Sequence, residues 1–212
     1  YSKIAIRKIY KIKRRPKYNP LIIHFFNAKS ASRDVKMNKD FFKLYKKFSP
    51  GPITFILKKS KNSKINSLST GGLNTVAIRF PDHKIIRKIL RNINFPLAMP
   101  SANLSKGLSP VNAKDVFEEF NKKLGIIING GNSKIGIEST VIDLTGKPKI
   151  LRPGVISSKE IKNSLKKSLS LRESKIKSPG MLKKHYSPGI PVIIGKKPNK
   201  SDHAFIFFGK NF

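Results

Sequence analysis

The sequence contains no cysteine and no long apolar run. The absence of cysteine excludes disulfide bonds, thiolate nucleophiles and zinc sites with cysteine ligands, and it suits a reducing cytoplasm. No apolar stretch approaches the roughly 20 residues that a membrane-spanning helix needs, and the first residues lack the order of a signal peptide. We therefore expect a soluble cytoplasmic protein that makes no membrane contact.

Acidic residues are also scarce. The chain of 212 residues has 11 Asp and Glu against 45 Lys and Arg, which gives a formal net charge of +34. Such a surface attracts phosphates, and the cause is either a polyanionic partner or a general use of lysine throughout the sequence. No basic run alternates with aromatic residues, as a stacking platform for nucleic acid would require. The charge therefore predicts tolerance of anions and not RNA binding.

Apolar residues make up 38% of the chain, which is enough for a core. Their spacing predicts alternating helices and strands, the pattern of an α/β domain. We predict helices over 2–12, 39–48, 82–92, 109–123 and 157–166, and strands over 21–26, 53–57, 74–80, 97–99, 126–128, 141–142 and 149–152. The first helix should bury Ala5, Ile9 and Ile12, and residues 58–72 should form a polar loop.

The composition changes near residue 167, where Ser and Lys become frequent, as is typical of a linker. We predict one domain over 1–166, a linker over 167–190 and the beginning of a second domain over 191–212. The chain starts at Tyr1 without Met, and two apolar strands begin a second domain that the chain does not finish. We expect it to be a fragment.

The stretch Pro100-Ser101-Ala102-Asn103 lies at the centre of the predicted site. It follows a short apolar strand that Pro100 prevents from continuing, so its polar residues emerge at the carboxyl end of a strand, where open α/β sheets bind ligands. The Ser101 hydroxyl and the Asn103 amide can hold a nucleotide phosphate or ribose. Taken alone, the tetrapeptide is more often a simple Ser- and Asn-rich turn.

Basic and small polar residues follow other predicted elements in the same way. Lys13 and Arg15 end the first helix, where cations also complement the helix dipole, and Arg79 and Arg152 lie at the ends of strands. His24 interrupts an apolar strand, a position more often taken by a hydrogen-bonded core histidine. The remaining members of this set are Asn19 and Ser139. Together they predict a concave basic site, poor in carboxylates, for phosphoryl or nucleotidyl transfer by positioning and charge stabilisation.

These residues resemble the YrdC-like threonylcarbamoyl-AMP synthases. The similar stretches are Lys13-Arg14-Arg15-Pro16 with Asn19-Pro-Leu-Ile-Ile-His24, Pro100-Ser-Ala-Asn103, Gly136-Ile-Glu-Ser-Thr-Val141 and Leu151-Arg-Pro-Gly154, and they cover residues 1 to about 156. Ser178-Pro-Gly-Met181 and His185-Tyr-Ser-Pro188 resemble the linker of the longer, two-domain members. The resemblance implies a twisted open mixed sheet flanked by helices, with the start of a second small α/β domain.

The resemblance also implies the reaction of L-threonine, bicarbonate and ATP, with Mg²⁺ accompanying ATP, to threonylcarbamoyl-AMP and pyrophosphate. This nucleotidyl transfer feeds the N6-threonylcarbamoyladenosine modification of tRNA at position 37 through a downstream threonylcarbamoyl transferase. Lys13 and Arg15 are the implied catalytic residues and hold the ATP phosphates. The other implied nucleotide contacts are Asn19, Ser101, Asn103, Ser109, Arg152 and, from the linker, Tyr186 closing over the nucleotide. The implied threonine contacts are His24, Thr75, Arg79, the backbone at Met99 and Ser139. No protein ligand for a metal is implied.

Two features depart from the family pattern. Arg14 stands where glycine is usual, which would narrow the turn or add a phosphate contact. The strand and turn that precede the first helix in the family are absent, so we expect the chain alone to be poorly active. A rival hypothesis is a module that binds double-stranded RNA or tRNA through the same basic concavity without catalysis. ATP–pyrophosphate exchange that needs threonine and bicarbonate would distinguish an enzyme from such a module.

Overall fold

The computed structural model describes residues 1–170, so the predicted linker, Tyr186 and the predicted second domain lie outside the described residues. Helices and strands alternate as expected. The helices are α1 (Lys3–Ile12), α2 (Ala28–Ala31), α3 (Lys39–Phe48), α4 (Lys84–Asn92), α5 (Ala113–Phe120) and α6 (Ser158–Leu165), and short 3₁₀ helices cover Ser67–Thr70 and Asn121–Lys123. The strands are β1 (Ile22–His24), β2 (Val35–Lys36), β3 (Ile53–Lys59), β4 (Thr75–Arg79), β5 (Leu97–Ala98), β6 (Thr140–Asp143) and β7 (Lys149–Arg152).

Seven strands form one sheet in the order β5-β1-β4-β3-β6-β7, with β2 paired to β3. The pairs β1–β4 and β3–β6 are parallel, and the remaining pairs are antiparallel. The predicted open mixed α/β sheet is therefore confirmed. Strands that are far apart in the sequence, such as β1 and β4 or β3 and β6, are neighbours in the sheet. Residues at their ends can therefore belong to one site.

One face of the sheet carries the main core. Strand alternation places Val76 and Ile78 of β4 on this face, beneath apolar side chains of α3 and α6. Phe41 of α3 packs edge-on against Phe55 of β3, with ring centroids 5.0 Å apart. The opposite face has a smaller buried apolar cluster and carries the polar residues of the site. The sheet therefore has one structural face and one chemical face.

Helix α1 begins as predicted, but the side that it buries overlaps only partly with the predicted one. The Ser2 hydroxyl caps it by accepting from the backbone N–H of Ala5 at 3.2 Å. The buried side chains are Ile6 and Tyr10, whereas Ala5, which the spacing placed in the core, is exposed. The Tyr10 hydroxyl donates to the carbonyl of Leu68 at 3.1 Å, so a polar atom is satisfied inside the contact. Ile9 is half-buried and packs against the same cluster, so the predicted face is right at Ile9 and wrong at Ala5. The prediction ignored Tyr10, an aromatic residue whose hydroxyl can reach a partner.

Residues 99–112, which join β5 to α5, are called the central loop below, and the helix that follows them begins later than predicted. Ser109 is not its N-cap and Pro110 is not its first residue, since α5 starts at Ala113. Asn112 is the cap: its side chain accepts from the N–H of Asp115 at 3.0 Å, and Asp115 accepts from the N–H of Asn112 in return. This reciprocal pair satisfies two N–H groups, more than a Ser-Pro start can. The predicted helix start at Ser109 is therefore wrong, whereas the implied contact of Ser109 with the nucleotide stays a prediction.

Residues 126–128 do not form the predicted strand. The side chains of Ile126 and Ile128 are 84% and 56% exposed, and the segment pairs with none of the described strands. Apolar, β-branched residues favour a strand only where a neighbouring strand completes the hydrogen bonds. Two smaller corrections concern α4, which begins at Lys84 after His83 and not at Asp82, and the supposed loop 58–72, which contains the end of β3 and a 3₁₀ turn.

Candidate active site

The register of the sheet brings four predicted or neighbouring site residues into one row. His24 of β1 pairs with Arg79 of β4, and Arg79 pairs with Thr54 of β3. Thr54 pairs with Val141 of β6, which pairs with Arg152 of β7. Laterally paired residues share a face of a sheet. The row therefore carries His24, Arg79 and Thr54 on the chemical face and ends at Arg152.

The end of α1 sets the direction of Arg15. The N–H of Arg14 bonds to the carbonyl of Lys11 at 3.2 Å, and the N–H of Arg15 bonds to the carbonyl of Tyr10 at 3.0 Å. This pair of bonds is a Schellman motif, which requires a left-handed residue directly after the cap, and Arg14 has φ +49°. Glycine, which is usual at this position in the family, adopts the left-handed conformation without steric cost. The exposed Arg14 adopts the same conformation with backbone strain.

We expect Arg14→Gly to stabilise the protein. A non-glycine residue in the left-handed region costs about 1 kcal/mol, and the greater flexibility of glycine in the unfolded chain removes part of the gain, so the net increase in unfolding free energy should be a few tenths of a kcal/mol. Urea denaturation would measure it. The matched control is Arg14→Ala, which removes the same side chain but keeps the strained backbone. Equal stability of the two variants would contradict the strain.

Arg15 is fastened to the segment that leads into β1. Its Nε and Nη2 donate to Asn19, at 3.1 Å to the carbonyl oxygen and 2.7 Å to Oδ1, and Nη2 also donates to the carbonyl of Pro20 at 2.7 Å. The Tyr10 hydroxyl lies 3.1 Å from the same Asn19 carbonyl, which shares the single hydroxyl proton with the carbonyl of Leu68. The guanidinium is therefore held in place before any ligand arrives, as electrostatic stabilisation of a developing charge requires.

Lys13 joins α1 to the central loop. It is the C-terminal cap of α1, its side chain is 5% exposed, and its ammonium donates to the carbonyls of Ser101 and Asn103. In return the N–H of Ser105 donates to the Lys13 carbonyl at 2.9 Å. The loop is joined to β1 as well, because the N–H of Met99 donates to Ile22 at 3.2 Å. Two parts of the chain that are far apart in sequence thus form one wall of the site.

Asn103 has an unused acceptor. Its amide nitrogen donates to the carbonyls of Leu104 and Gly107, at 2.7 and 2.8 Å, which shapes the loop. Its side-chain oxygen is buried and has no hydrogen-bond partner among residues 1–170. A buried acceptor without a donor is costly unless a ligand or water supplies one. The position suits a hydroxyl or amino group of a bound molecule.

The opposite wall is built by β6 and β7. Arg152 donates from Nε and Nη2 to the carbonyl of Ser139, at 3.1 and 2.9 Å, and from Nη2 to the Ser139 hydroxyl at 2.9 Å. Its Nη1 donates to Glu138 Oε2 at 2.7 Å. The Ser139 hydroxyl also lies 2.8 Å from that of Thr54. Arg79, one strand further, donates from Nε to the carbonyl of Gly51 at 3.2 Å.

Lys13, Arg15, Arg79 and Arg152 are called the cation cluster below. Burial lowers the pKa of Lys13 to about 8, and the positive charge of Arg15 adds to this effect. Burial likewise lowers the pKa values of Arg15 and Arg79, and the charge of Arg152 lowers both further. Buried like charges repel one another, so binding of an anion among them is favourable.

His24 stays neutral beside the cation cluster. It is 4% exposed, and its Nδ1 donates to the carbonyl of Ile22 at 3.2 Å. Burial, followed by the charge of Arg79, lowers its pKa to about 3. The ring therefore adds a polar group to the chemical face without adding another positive charge.

We expect ligand binding to weaken as the pH rises through the pKa of Lys13. Below about pH 8 the ammonium is charged and can hold a phosphate, and above it the neutral amine cannot. Catalytic efficiency, measured as kcat/KM for ATP, should therefore fall about tenfold per pH unit above this value. Lys13→Arg, which stays charged, should abolish that fall. An unchanged pH profile in Lys13→Arg would assign the titration to another group.

The structure brings most of the predicted site residues together. Hydrogen bonds place Lys13, Arg15, Asn19, Ser101 and Asn103 on one wall, and the backbone of Met99 bonds to β1 beside them. His24, Arg79, Ser139 and Arg152 lie along the sheet. Thr75 occupies the other end of β4 from Arg79, roughly 13 Å away at the rise of a strand. Tyr186 lies outside the described residues. The specific contacts of these residues with ATP and threonine stay predictions.

Three residues of the site were not predicted. Thr54 interrupts an otherwise apolar strand, which is a readable signal. Glu138 is one of only 11 acidic residues and directly precedes Ser139, so its rarity was the available clue. Tyr10 positions Asn19, and nothing in its spacing points to that function.

No group of three or more His, Cys, Asp or Glu residues in the part of the chain that the structure describes could hold a metal ion. The expectation that Mg²⁺ accompanies ATP stays a prediction. Within the same range, none of the helices has the length and apolar character to cross a membrane.

Two protein-family models match the chain. The Sua5, YciO and YrdC model, described as telomere recombination, matches residues 1–154. A model described as the C-terminal domain of threonylcarbamoyl-AMP synthase matches residues 156–208. Together they account for almost the whole sequence.

Similar proteins and structures agree with these matches. The threonylcarbamoyl-AMP synthase of Pyrococcus abyssi is 39% identical over 204 residues, which are 92% of this chain and 59% of that protein. The Bacillus subtilis threonylcarbamoyl-AMP synthase is 37% identical over 94% of this chain and 60% of its own length. A crystal structure of P. abyssi Sua5 complexed with L-threonine superposes with a TM-score of 0.83, covering 88% of this chain and 57% of that one. The chain thus spans less than two thirds of these relatives.

Proposed function

The chain belongs to the Sua5/YciO/YrdC family, and from that premise we propose that it forms threonylcarbamoyl-AMP and pyrophosphate from L-threonine, bicarbonate and ATP. The observation that carries the proposal is that three separate segments, the end of α1, β4 and β7, bring the four buried cations of the cluster close enough for their charges to act on one another. Nucleotidyl transfer needs such an arrangement, because its transition state is stabilised by positioned positive charge.

The roles follow from the geometry and the proposed chemistry. The amine of threonine captures carbon dioxide derived from bicarbonate and loses a proton, and the resulting carbamate oxygen attacks the α-phosphorus of ATP. The bond to the β-phosphate oxygen breaks, and pyrophosphate leaves with the electron pair. Lys13 and Arg15 stabilise the charge that develops on the leaving group. Arg79, beside the neutral His24, suits the threonine carboxylate, because a guanidinium binds carboxylates through parallel hydrogen bonds.

The nucleotide side is assigned to the central loop and to β7. Ser101 and the free acceptor of Asn103 suit ribose or base donors, and Arg152 suits a phosphate. Tyr186 stays a proposed lid from the linker. We also propose that the product passes to a threonylcarbamoyl transferase acting on tRNA, and that the protein works in the cytoplasm, where ATP and tRNA are available.

The test is isotope exchange between ATP and pyrophosphate in the full-length protein. We expect exchange only when threonine and bicarbonate are both present. Salt-sensitive binding of double-stranded RNA without any exchange would favour the rival RNA-binding hypothesis. The burial of Lys13 and Arg152, at 5% and 8% exposure, favours the enzyme, because RNA phosphates need accessible cations.

A further inference from the structure

Glu138 brings a negative charge into the cation cluster. Its Oε2 lies 2.7 Å from Nη1 of Arg152, and the two side chains are 22% and 9% exposed. Its charge also opposes the lowering of the pKa values of Lys13, Arg15 and Arg79 that burial causes. One carboxylate therefore acts on all four cations.

The contacts of Arg152 divide its guanidinium into two parts. Nε and Nη2 are committed to Ser139, through three bonds of 2.9 to 3.1 Å. Nη1 faces Glu138. A phosphate or carboxylate can therefore take the place of Glu138 at Nη1 while the bonds to Ser139 keep the arginine in position.

Glu119 provides a contrast, although it also acts on the charge of Lys13. Its Oε1 accepts from the backbone N–H of Leu104 at 2.9 Å, so it holds the central loop. Replacing that bond would disturb the loop. Glu138, by contrast, meets the side chain of an arginine, whose natural partners include phosphates.

We propose that Glu138 is an exchangeable counter-ion: its carboxylate compensates part of the charge of the cation cluster before substrate binds, and an anionic group of the ligand displaces it from Arg152. The identity of that ligand, ATP or pyrophosphate, rests on the proposed function. Before a ligand binds, Glu138 reduces the repulsion among the four cations. When a polyphosphate binds, Glu138 competes with it for Arg152. It therefore lowers the affinity for pyrophosphate and allows the product to leave.

The experiment is calorimetric titration of the full-length protein with pyrophosphate alone. Glu138→Gln keeps the size of the side chain and removes its charge, so we expect pyrophosphate to bind about tenfold more tightly, which corresponds to about 1.4 kcal/mol. Without ligand, the same variant should unfold at a temperature several degrees lower, because the cations lose their partner. Glu138→Asp keeps the charge and should bind pyrophosphate with nearly the wild-type affinity.

The matched control is Glu118→Gln, the same change at a side chain that is 63% exposed on α5, and it should alter the dissociation constant less than twofold. Unchanged or weaker pyrophosphate binding by Glu138→Gln would overturn the proposal. So would a variant that stays unfolded at every pyrophosphate concentration, because an anion then could not replace the carboxylate. Tighter binding without any ATP–pyrophosphate exchange in the wild type would support the counter-ion and reject the proposed reaction.

Discussion

Arg15→Ala in the full-length protein should reduce threonine-dependent adenylate formation by about a hundredfold to a thousandfold, the cost of removing one preorganised charge from a transition state. Arg15 is fixed by three hydrogen bonds to Asn19 and Pro20. Its side chain is therefore already ordered, and substrate binding does not have to order it. The same bonds predict a loss of about 1–3 kcal/mol in unfolding free energy. ATP–pyrophosphate exchange and urea denaturation would measure the two effects separately.

Arg7→Ala is the control, because it removes an exposed arginine from the same helix. It should leave both quantities nearly unchanged. Arg15→Lys should recover only part of the activity, since a lysine cannot reproduce the fork that binds Asn19 and a phosphate at once. Full activity in Arg15→Ala would contradict the proposed role of Arg15 in phosphate binding. A loss of exchange that is explained entirely by unfolding of the variant would contradict it as well.

Gly154→Ala should strongly destabilise the described domain. A β-carbon at Gly154 would lie 2.4 Å from the backbone nitrogen of Thr140, 2.5 Å from the carbonyl oxygen of Glu138 and 2.7 Å from the carbonyl carbon of Ser139. All three are backbone atoms at the start of β6, so the strand itself must move. We expect a loss of about 3 kcal/mol in unfolding free energy, at the upper end of overpacking effects.

The same displacement should remove activity, because Ser139 and Glu138 carry the bonds to Arg152. Gly146→Ala is the matched control: it lies in the turn between β6 and β7, and a β-carbon there meets nothing within 4 Å. Its unfolding free energy should change by less than about 0.5 kcal/mol. Equal unfolding free energies of the two variants would contradict the prediction, because they would show that the start of β6 can move away from Gly154 without loss of stability.

The predicted elements that proved correct carry a strong local signal. Strands β3 and β4 are rich in β-branched and apolar residues, and Lys39–Phe48 has the apolar period of a helix. One error, the start of α5, arose where two local signals competed. Ser109-Pro110 and Asn112-x-x-Asp115 both resemble a helix start, and the reciprocal bonds of the second decided the outcome.

The site depended on information that spacing does not contain. Lys13 meets carbonyls 88 and 90 residues further along the chain, and Arg79 reaches His24 only through the pairing of β1 and β4. Strand order and register, which bring these residues together, are properties of the whole sheet. The resemblance to a family was therefore needed to assign these residues to a common site. The structure adds the partners of each cation, including Glu138.

The contacts of Lys13 and Arg15, which follow α1 through the Schellman turn at Arg14, restrict the number of residues that α1 can have. Adding or deleting one residue in the helix would rotate everything after it by about 100° and shift it by about 1.5 Å along the axis. Lys13 would then leave the carbonyls of the central loop, and Arg15 would leave Asn19. Insertions and deletions should therefore be rejected within Lys3–Ile12, while the exposed, unpaired segment around Ile126 and Ile128 has no comparable constraint on its length.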